Sequence, residues 1–210
     1  MTKRKGAISM GKVITLGRQF GSGGREIGKI LADELGFAFY DKELINKAAE
    51  ASGIHRDFFE NNEESVTGNF FHALTLGIYR NNNRLAEMND ISINDKVFLI
   101  QSDVIKKAAE EGDAVIVGRC ADYVLRNHKD CHNVFINSDL EERVRRATEE
   151  YGLDPDGLKE TIIKIDRKRS SYYNYYSGKK WGKAVSYHMT LDSGVLGIRK
   201  CVDLIKELVK

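Results

Sequence analysis

Val13-Ile-Thr-Leu-Gly-Arg-Gln-Phe-Gly-Ser-Gly-Gly-Arg-Glu-Ile27 carries a short apolar strand into a loop with four glycines in eight residues, and then into an amphipathic helix. Ile27, Ile30, Leu31 and Leu35 recur at helical spacing, so the first turn of that helix falls at the loop's end with its backbone N–H groups unpaired. Those donors and the positive end of the helix dipole attract an anion. Gly21, Gly23 and Gly24 suit the place, because a residue without Cβ reaches positive φ and lets the backbone approach an oxygen closely.

The loop departs from the regular phosphate-binding pattern of Gly, four residues, then Gly-Lys-Ser/Thr. Counting back from Gly23 puts Arg18 where the first glycine belongs, Gly24 where the lysine belongs and Arg25 where the hydroxyl belongs. Arg25 is the nearest cation, and a guanidinium binds phosphate oxygens in a forked geometry. Arg18 is a second candidate on the loop's other side, and Ser22 reads as a loop donor.

Working outward, short apolar runs alternate with longer periodic segments, the pattern of an α/β fold with helices around a parallel sheet. Five strands are predicted at Lys12 to Leu16, Phe37 to Tyr40, Ala114 to Val117, Asn133 to Ile136 and Ser186 to Thr190. Helices are predicted near Arg25 to Leu35, Lys42 to Ala51, Asp95 to Glu111, Ala121 to Arg126, Asp139 to Tyr151, Pro155 to Tyr176 and Val195 to Val209. Ser138 with Glu141 reads as a capping box, and Asp154-Pro155 as an N-cap before a proline at the first helical position. Gly36, Gly53, Gly112 and Gly152 fall where left-handed helix ends are expected. The segment from Asp57 to Ile91 reads as an inserted, mostly helical cap over the site.

At 210 residues the chain fits one domain, 1–210, with a core at 12–56 and 92–210, the insert at about 57–91 and a lid at about 139–184. A hydrophobic fraction of 41% beside 30% charged residues is ordinary for a globular protein, and a net charge of +2 does not argue for nucleic acid or a membrane. The basic N-terminus is followed by no long apolar run, so neither signal peptide nor membrane span is read and the cytoplasm is the expected location. Cys120, Cys131 and Cys201 form no close pair, which disfavours a disulfide framework or zinc ribbon and favours buried thiols. The five histidines show no metalloprotease spacing, and no serine stands in a nucleophile elbow.

Other candidates lie at predicted strand ends. Asp41 places a carboxylate at the C-terminal edge of the sheet, where it reads either as a ligand group or as the cap of the helix that follows. Lys47 lies on that helix. Arg119 follows the third strand as an anion clamp, its bland alternative being an ion pair with Asp122. Arg143, Arg145 and Arg146 on one helix, and Arg167, Lys168 and Arg169 on the next, look like a hairpin lid that surrounds a transferring phosphoryl group with positive charge; a solvated face balanced by nearby glutamates is the alternative. Tyr172, Tyr173 and Tyr176 continue a helical stripe that fits lid packing or a subunit contact better than base stacking on nucleic acid.

The loop, the acidic strand end, Gly118-Arg119 and the arginine lid, in that order, resemble the cytidylate kinase-like family, a divergent branch of the P-loop nucleoside monophosphate kinases. The resemblance covers most of the chain, including Gly36-Phe-Ala-Phe-Tyr-Asp-Lys-Glu-Leu-Ile45, Val115-Ile-Val-Gly-Arg-Cys-Ala-Asp-Tyr-Val-Leu125 and Tyr187-His-Met-Thr-Leu-Asp-Ser193. It implies a P-loop three-layer sandwich, a five-stranded parallel sheet with helices on both faces, a helical lid and a helical insert. It also implies ATP as phosphoryl donor with Mg²⁺, and a nucleoside monophosphate of the CMP or dCMP type as acceptor. Gly21 to Arg25, flanked by Arg18 and Glu26, would then hold ATP phosphates, while Asp41, Lys47 and Arg119 would face the acceptor. Arg119, Arg143 and Arg169 resemble catalytic arginines, and Arg25 would replace the lysine in stabilising transition-state charge. Cys120 stands where the family has an aspartate, and 172–184 is longer than its counterpart. A nucleotide-binding protein without turnover and a kinase with a non-nucleotide acceptor are the rival expectations; the metal ligands are unassigned.

Overall fold

The computed structural model describes residues 11–45 and 92–210. Its strands are β1 (Val13–Arg18), β2 (Ala38–Tyr40), β3 (Ala114–Val117), β4 (Cys131–Asn137) and β5 (Met189–Asp192). All pair in parallel in the order β2-β3-β1-β4-β5, so β1 is central and the loop that follows it opens at the middle of the sheet's C-terminal edge. The helices are α1 (Gly24–Leu35), α2 (Ile93–Glu111), α3 (Ala121–Val124), α4 (Leu140–Glu149), α5 (Leu158–Ser177) and α6 (Ser193–Leu208).

Parallel strands covered on both faces are apolar nearly throughout, and β3, Ala-Val-Ile-Val, is buried at every position. Period-two alternation then sorts side chains between two layers. Val13, Ala114 and Ile116 pack with Ile105 and Leu125 on the face of α2 and α3. Ile14, Leu16, Val115 and Val117 pack with Ile27, Leu31, Val202 and Ile205 on the face of α1 and α6. A smaller third core holds the α4/α5 hairpin together through Ala147, Leu158 and Ile162, and Phe20 of the loop packs against it. That contact brings the hairpin onto the loop.

The five-stranded parallel sheet between helical layers is the expected architecture, and each expected helix that falls wholly within the described residues is present. Several boundaries differ. Asp139 rather than Ser138 caps α4, because its Oδ1 takes the Glu142 N–H at 2.8 Å, while the Ser138 N–H is drawn to Gln19 Oε1. Asp154 and Pro155 form a turn in which Asp154 accepts the Asp156 N–H, and α5 starts at Leu158 after a left-handed Gly157. The last strand begins at Met189, where pairing with Val134 starts; 184–186 forms a single 3₁₀ turn. Gly36 and Gly152 are left-handed as expected, whereas Gly112 sits at φ 153° and ψ −164°. Lys47, Gly53 and the expected insert lie outside the described residues.

Leu31 is fully buried between α1 and the sheet. Leu31→Ala is expected to lower unfolding free energy by about 2–5 kcal/mol in urea titration, the usual cost of the lost methylenes and the cavity they leave.

Candidate functional site

The loop between β1 and α1 turns through left-handed Gly21 (φ 76°) and Gly23 (φ 70°). A Cβ on Gly21 would stand 2.6 Å from the Arg143 carbonyl oxygen, one on Gly24 would stand 2.6 Å from Arg18 Cβ, and one on Gly23 would overlap Ile198. Glycine is therefore required both by the turn and by what encloses it. No side chain caps α1, so the N–H groups of Gly24, Arg25 and Glu26 open the helix without intrahelical partners.

The loop's carbonyls are bound in succession. Arg169 Nη1 donates to the Arg18 carbonyl at 3.1 Å, Ser22 Oγ to Gln19 at 2.9 Å, and Arg143 Nη1 to Phe20 at 3.2 Å. Arg146 Nη1 donates to the Gly21 carbonyl at 3.1 Å and Ser193 Oγ to Ser22 at 2.7 Å. Asp166 completes the set: its Oδ1 accepts the Phe20 N–H at 2.8 Å and its Oδ2 pairs with Arg143 Nη1 at 2.5 Å. Ser22, read as a loop donor, gives its hydroxyl to the Gln19 carbonyl within the loop. Arg143 is buried in this arrangement and does not line the cavity beside it.

That cavity, of about 490 Å³, opens at the C-terminal ends of β1 and β3 beneath α5. Arg18, Lys42, Arg119, Lys168 and Arg169 bring positive charge to its wall; Phe20, Tyr172, Tyr173, Trp181 and Tyr187 give it an aromatic side, and Asp122 contributes an acid. Arg119 is aimed by unusual backbone. Gly118, Arg119 and Cys120 have φ of 81°, 56° and 55°, and two successive non-glycine residues there store strain of the kind found where a side chain must be aimed. A Cβ on Gly118 would overlap the Arg18 guanidinium. Arg119 lies over the Tyr172 ring at 5.9 Å, and Tyr172 donates its hydroxyl to the buried Gln101 at 3.1 Å. Asp122 accepts from Tyr173 at 2.7 Å; among the described residues it forms no ion pair with Arg119.

The electrostatics follow from this crowding. Burial, followed by the charges of Arg169 and Arg119, lowers Arg18 to about 9, with Asp41 and Asp166 opposing. Burial lowers Lys42 too, reinforced by Arg119, Arg169 and Arg18. Arg119 is lowered by burial against the pull of Tyr172, and Arg169 by burial with Arg119 and Arg143 adding to it against Asp166. Cations that destabilise one another around a cavity are relieved by an anion within it. Asp122 is raised by burial despite the Tyr173 hydrogen bond. Burial also pushes the Cys120 and Cys131 thiols up to about 12, and all three cysteines are free and buried.

Asp41 takes the capping role its position suggested, and its remaining oxygen pairs with Arg25 rather than lining the cavity. Its Oδ1 caps the following helix through the Glu43 and Leu44 N–H groups, each at 3.0 Å, and its Oδ2 accepts from Arg25 Nε at 2.8 Å. Burial alone would raise its carboxyl; the Leu44 N–H, Arg25 and the Glu43 N–H outweigh that and hold it low. The Arg25 side chain is 67% exposed, and Glu26 is exposed one residue on. The structure thus gathers Arg18, Arg119 and Arg169 at one cavity, with Arg25 and Asp41 paired at the start of α1. Lys42, Asp122, Trp181 and Tyr187 were missed as wall residues. Lys42 is adjacent to Asp41, Asp122 was read only as a partner for Arg119, and Tyr187 stood only in a passage that carries the family resemblance.

The central-strand loop, the sheet order and the cationic hairpin define a P-loop kinase fold. The chain belongs to the cytidylate kinase-like family, whose model matches residues 13–195. Among solved structures it is similar to an uncharacterized protein from Eubacterium ventriosum, at 24% identity over 94% of this chain and 98% of that one, with a TM-score of 0.70. A shikimate kinase from Bacteroides thetaiotaomicron is similar at 18% identity, 94% and 98% coverage and a TM-score of 0.50. A gluconokinase from Sinorhizobium meliloti is similar at 12% identity, 95% and 94% coverage and a TM-score of 0.51. These identities bear on the fold. No curated protein matches the chain in sequence. Family and fold together support a phosphotransferase acting on a small molecule.

Gly118→Ala adds a methyl where φ is positive and where Arg18 lies. It is expected to cost about 1–3 kcal/mol in thermal or chemical unfolding and to weaken inorganic phosphate binding measured by calorimetry. The pH dependence has two signs. Arg18 falls on folding from the ordinary arginine range to about 9, so above that value the unfolded chain binds more protons and Arg18's contribution to stability rises with pH. Anion binding needs Arg18 charged, so phosphate affinity is expected to fall as pH rises through about 9.

Proposed function

We propose that this protein is an ATP-dependent phosphotransferase whose acceptor is a nucleoside monophosphate of the CMP or dCMP type. The observation that carries the reading is the cavity beside the glycine loop, where Arg18, Lys42, Arg119 and Arg169 converge on space large enough for a small anion. Phosphoryl transfer asks little covalent work of the protein and much positive charge and positioning, which is what these residues offer. The aromatic side of the same cavity suits a planar base, and Asp122 suits a donor group on it.

The loop residues fit a polyphosphate. The uncapped start of α1 offers N–H groups to phosphate oxygens, and the exposed Arg25 stands at the same turn. Among the described residues no group of three or more His, Cys, Asp or Glu is placed to hold a metal. Mg²⁺ would accompany the nucleotide. When bound, it would neutralise charge on the phosphates; the chain's own part is to orient the donor through α1 and the acceptor through Arg119 and Lys42. Arg25, released from Asp41, would take the place of the missing lysine.

A coupled ADP-release assay over nucleoside monophosphates and common phosphate acceptors tests the reading. Turnover with CMP or dCMP is expected. Arg25→Ala is expected to lower kcat by about 10²-fold, the usual worth of one oriented transition-state donor. An unchanged kcat would remove Arg25 from that role, and ATP binding without turnover on any acceptor would favour a non-catalytic nucleotide-binding protein.

A further inference from the structure

We infer that Asp166 is a positioning residue for the glycine loop, and that Arg143 and Arg146 serve that loop rather than a phosphate. The expectation for arginines on a lid is that they face the transferring group. Here both point elsewhere: each donates Nη1 to a loop carbonyl, Arg143 to Phe20 and Arg146 to Gly21. Their Nε atoms are buried without hydrogen bonds, a cost accepted to aim the rest of each guanidinium at the loop. Arg146 keeps Glu142 and Glu150 only at 3.5 and 3.6 Å.

Asp166 holds both ends of this arrangement. One oxygen takes the Phe20 N–H, the other takes Arg143, and Arg143 takes the Phe20 carbonyl, so both backbone groups of one residue are fixed by a single ion pair. Phe20 is anchored further by its ring, which packs against Ala147, Leu158 and Ile162 and lies under Arg169 at 5.6 Å. With its carbonyls drawn toward α4 and α5, the loop enters α1 with the helix's first N–H groups uncapped. Docking of the hairpin and the shape of the loop are thereby one equilibrium: neither can change without breaking the Asp166 contacts. What the loop is held ready for rests on the nucleotide reading above; the holding itself does not.

The test uses the full chain with Asp166→Asn and, because that variant strands a buried Arg143, the paired replacement Arg143→Met with Asp166→Leu, which buries no unpaired charge. Hydrogen exchange is followed across residues 19–26, with β4 as the internal control. Exchange in 19–26 is expected to speed up about 10-fold or more with β4 unchanged, as for loss of a charge-assisted bond. MgATP affinity by calorimetry is expected to weaken by a similar factor, while KM for CMP stays within about twofold. Wild-type exchange of the loop in a folded variant would overturn the inference, as would a loosened loop that binds MgATP as tightly as before. If the wild-type chain binds no MgATP, the nucleotide reading fails, and the exchange result alone decides whether Asp166 positions the loop.

Discussion

Buried backbone carbonyls must find donors, and from Arg18 to Ser22 the chain leaves the sheet before it has entered a helix. Five successive carbonyls are satisfied there by side chains, three of them arginines from α4 and α5. Much else follows from that constraint. The hairpin must sit on the loop, its arginines must be partly buried, and Asp166 must be present to balance Arg143. A buried ion pair is poor evidence of stability in itself, because desolvation offsets much of the attraction. Its value here is geometric, since it fixes which way each peptide of the loop faces.

The cavity is assembled by the same packing. Once α5 lies over the loop, Arg169 reaches the Arg18 carbonyl and also enters the cavity wall. Gly118 gives Arg18 room, and the left-handed backbone at Arg119 and Cys120 sends a second guanidinium toward the first. The result is a group of cations that weaken one another's hold on protons, which is a destabilised arrangement without an anion. The strain in the backbone and the repulsion between charges both lie at the C-terminal edge of a parallel sheet, where open α/β folds bind ligands.

Asp41 and Asp122 show how position divides two carboxyls that follow neighbouring strands of the sheet. Asp41, with two backbone N–H groups and Arg25, is held ionised. Asp122, buried against Tyr173 and without an arginine ion pair among the described residues, is pushed the other way. The one is committed to structure at the start of a helix, and the other stands in the cavity wall with Tyr173 as its hydrogen-bond donor.

The sequence by itself determined the parallel α/β architecture, the phosphate loop and the roster of cations, because apolar periodicity, glycine spacing and residue type are local properties. It also pointed to Asp41 as a helix cap, since a strand end and a helix start coincide there. It did not reveal that Arg143 and Arg146 turn inward while Arg169 reaches the cavity, nor that Lys42 joins it. Those outcomes depend on partners 23 to 151 residues away, Asp166 for Arg143 and the Arg18 carbonyl for Arg169 among them. Only the tertiary structure decided them, because which way a long cationic side chain turns is set by the acceptors that packing places within its reach.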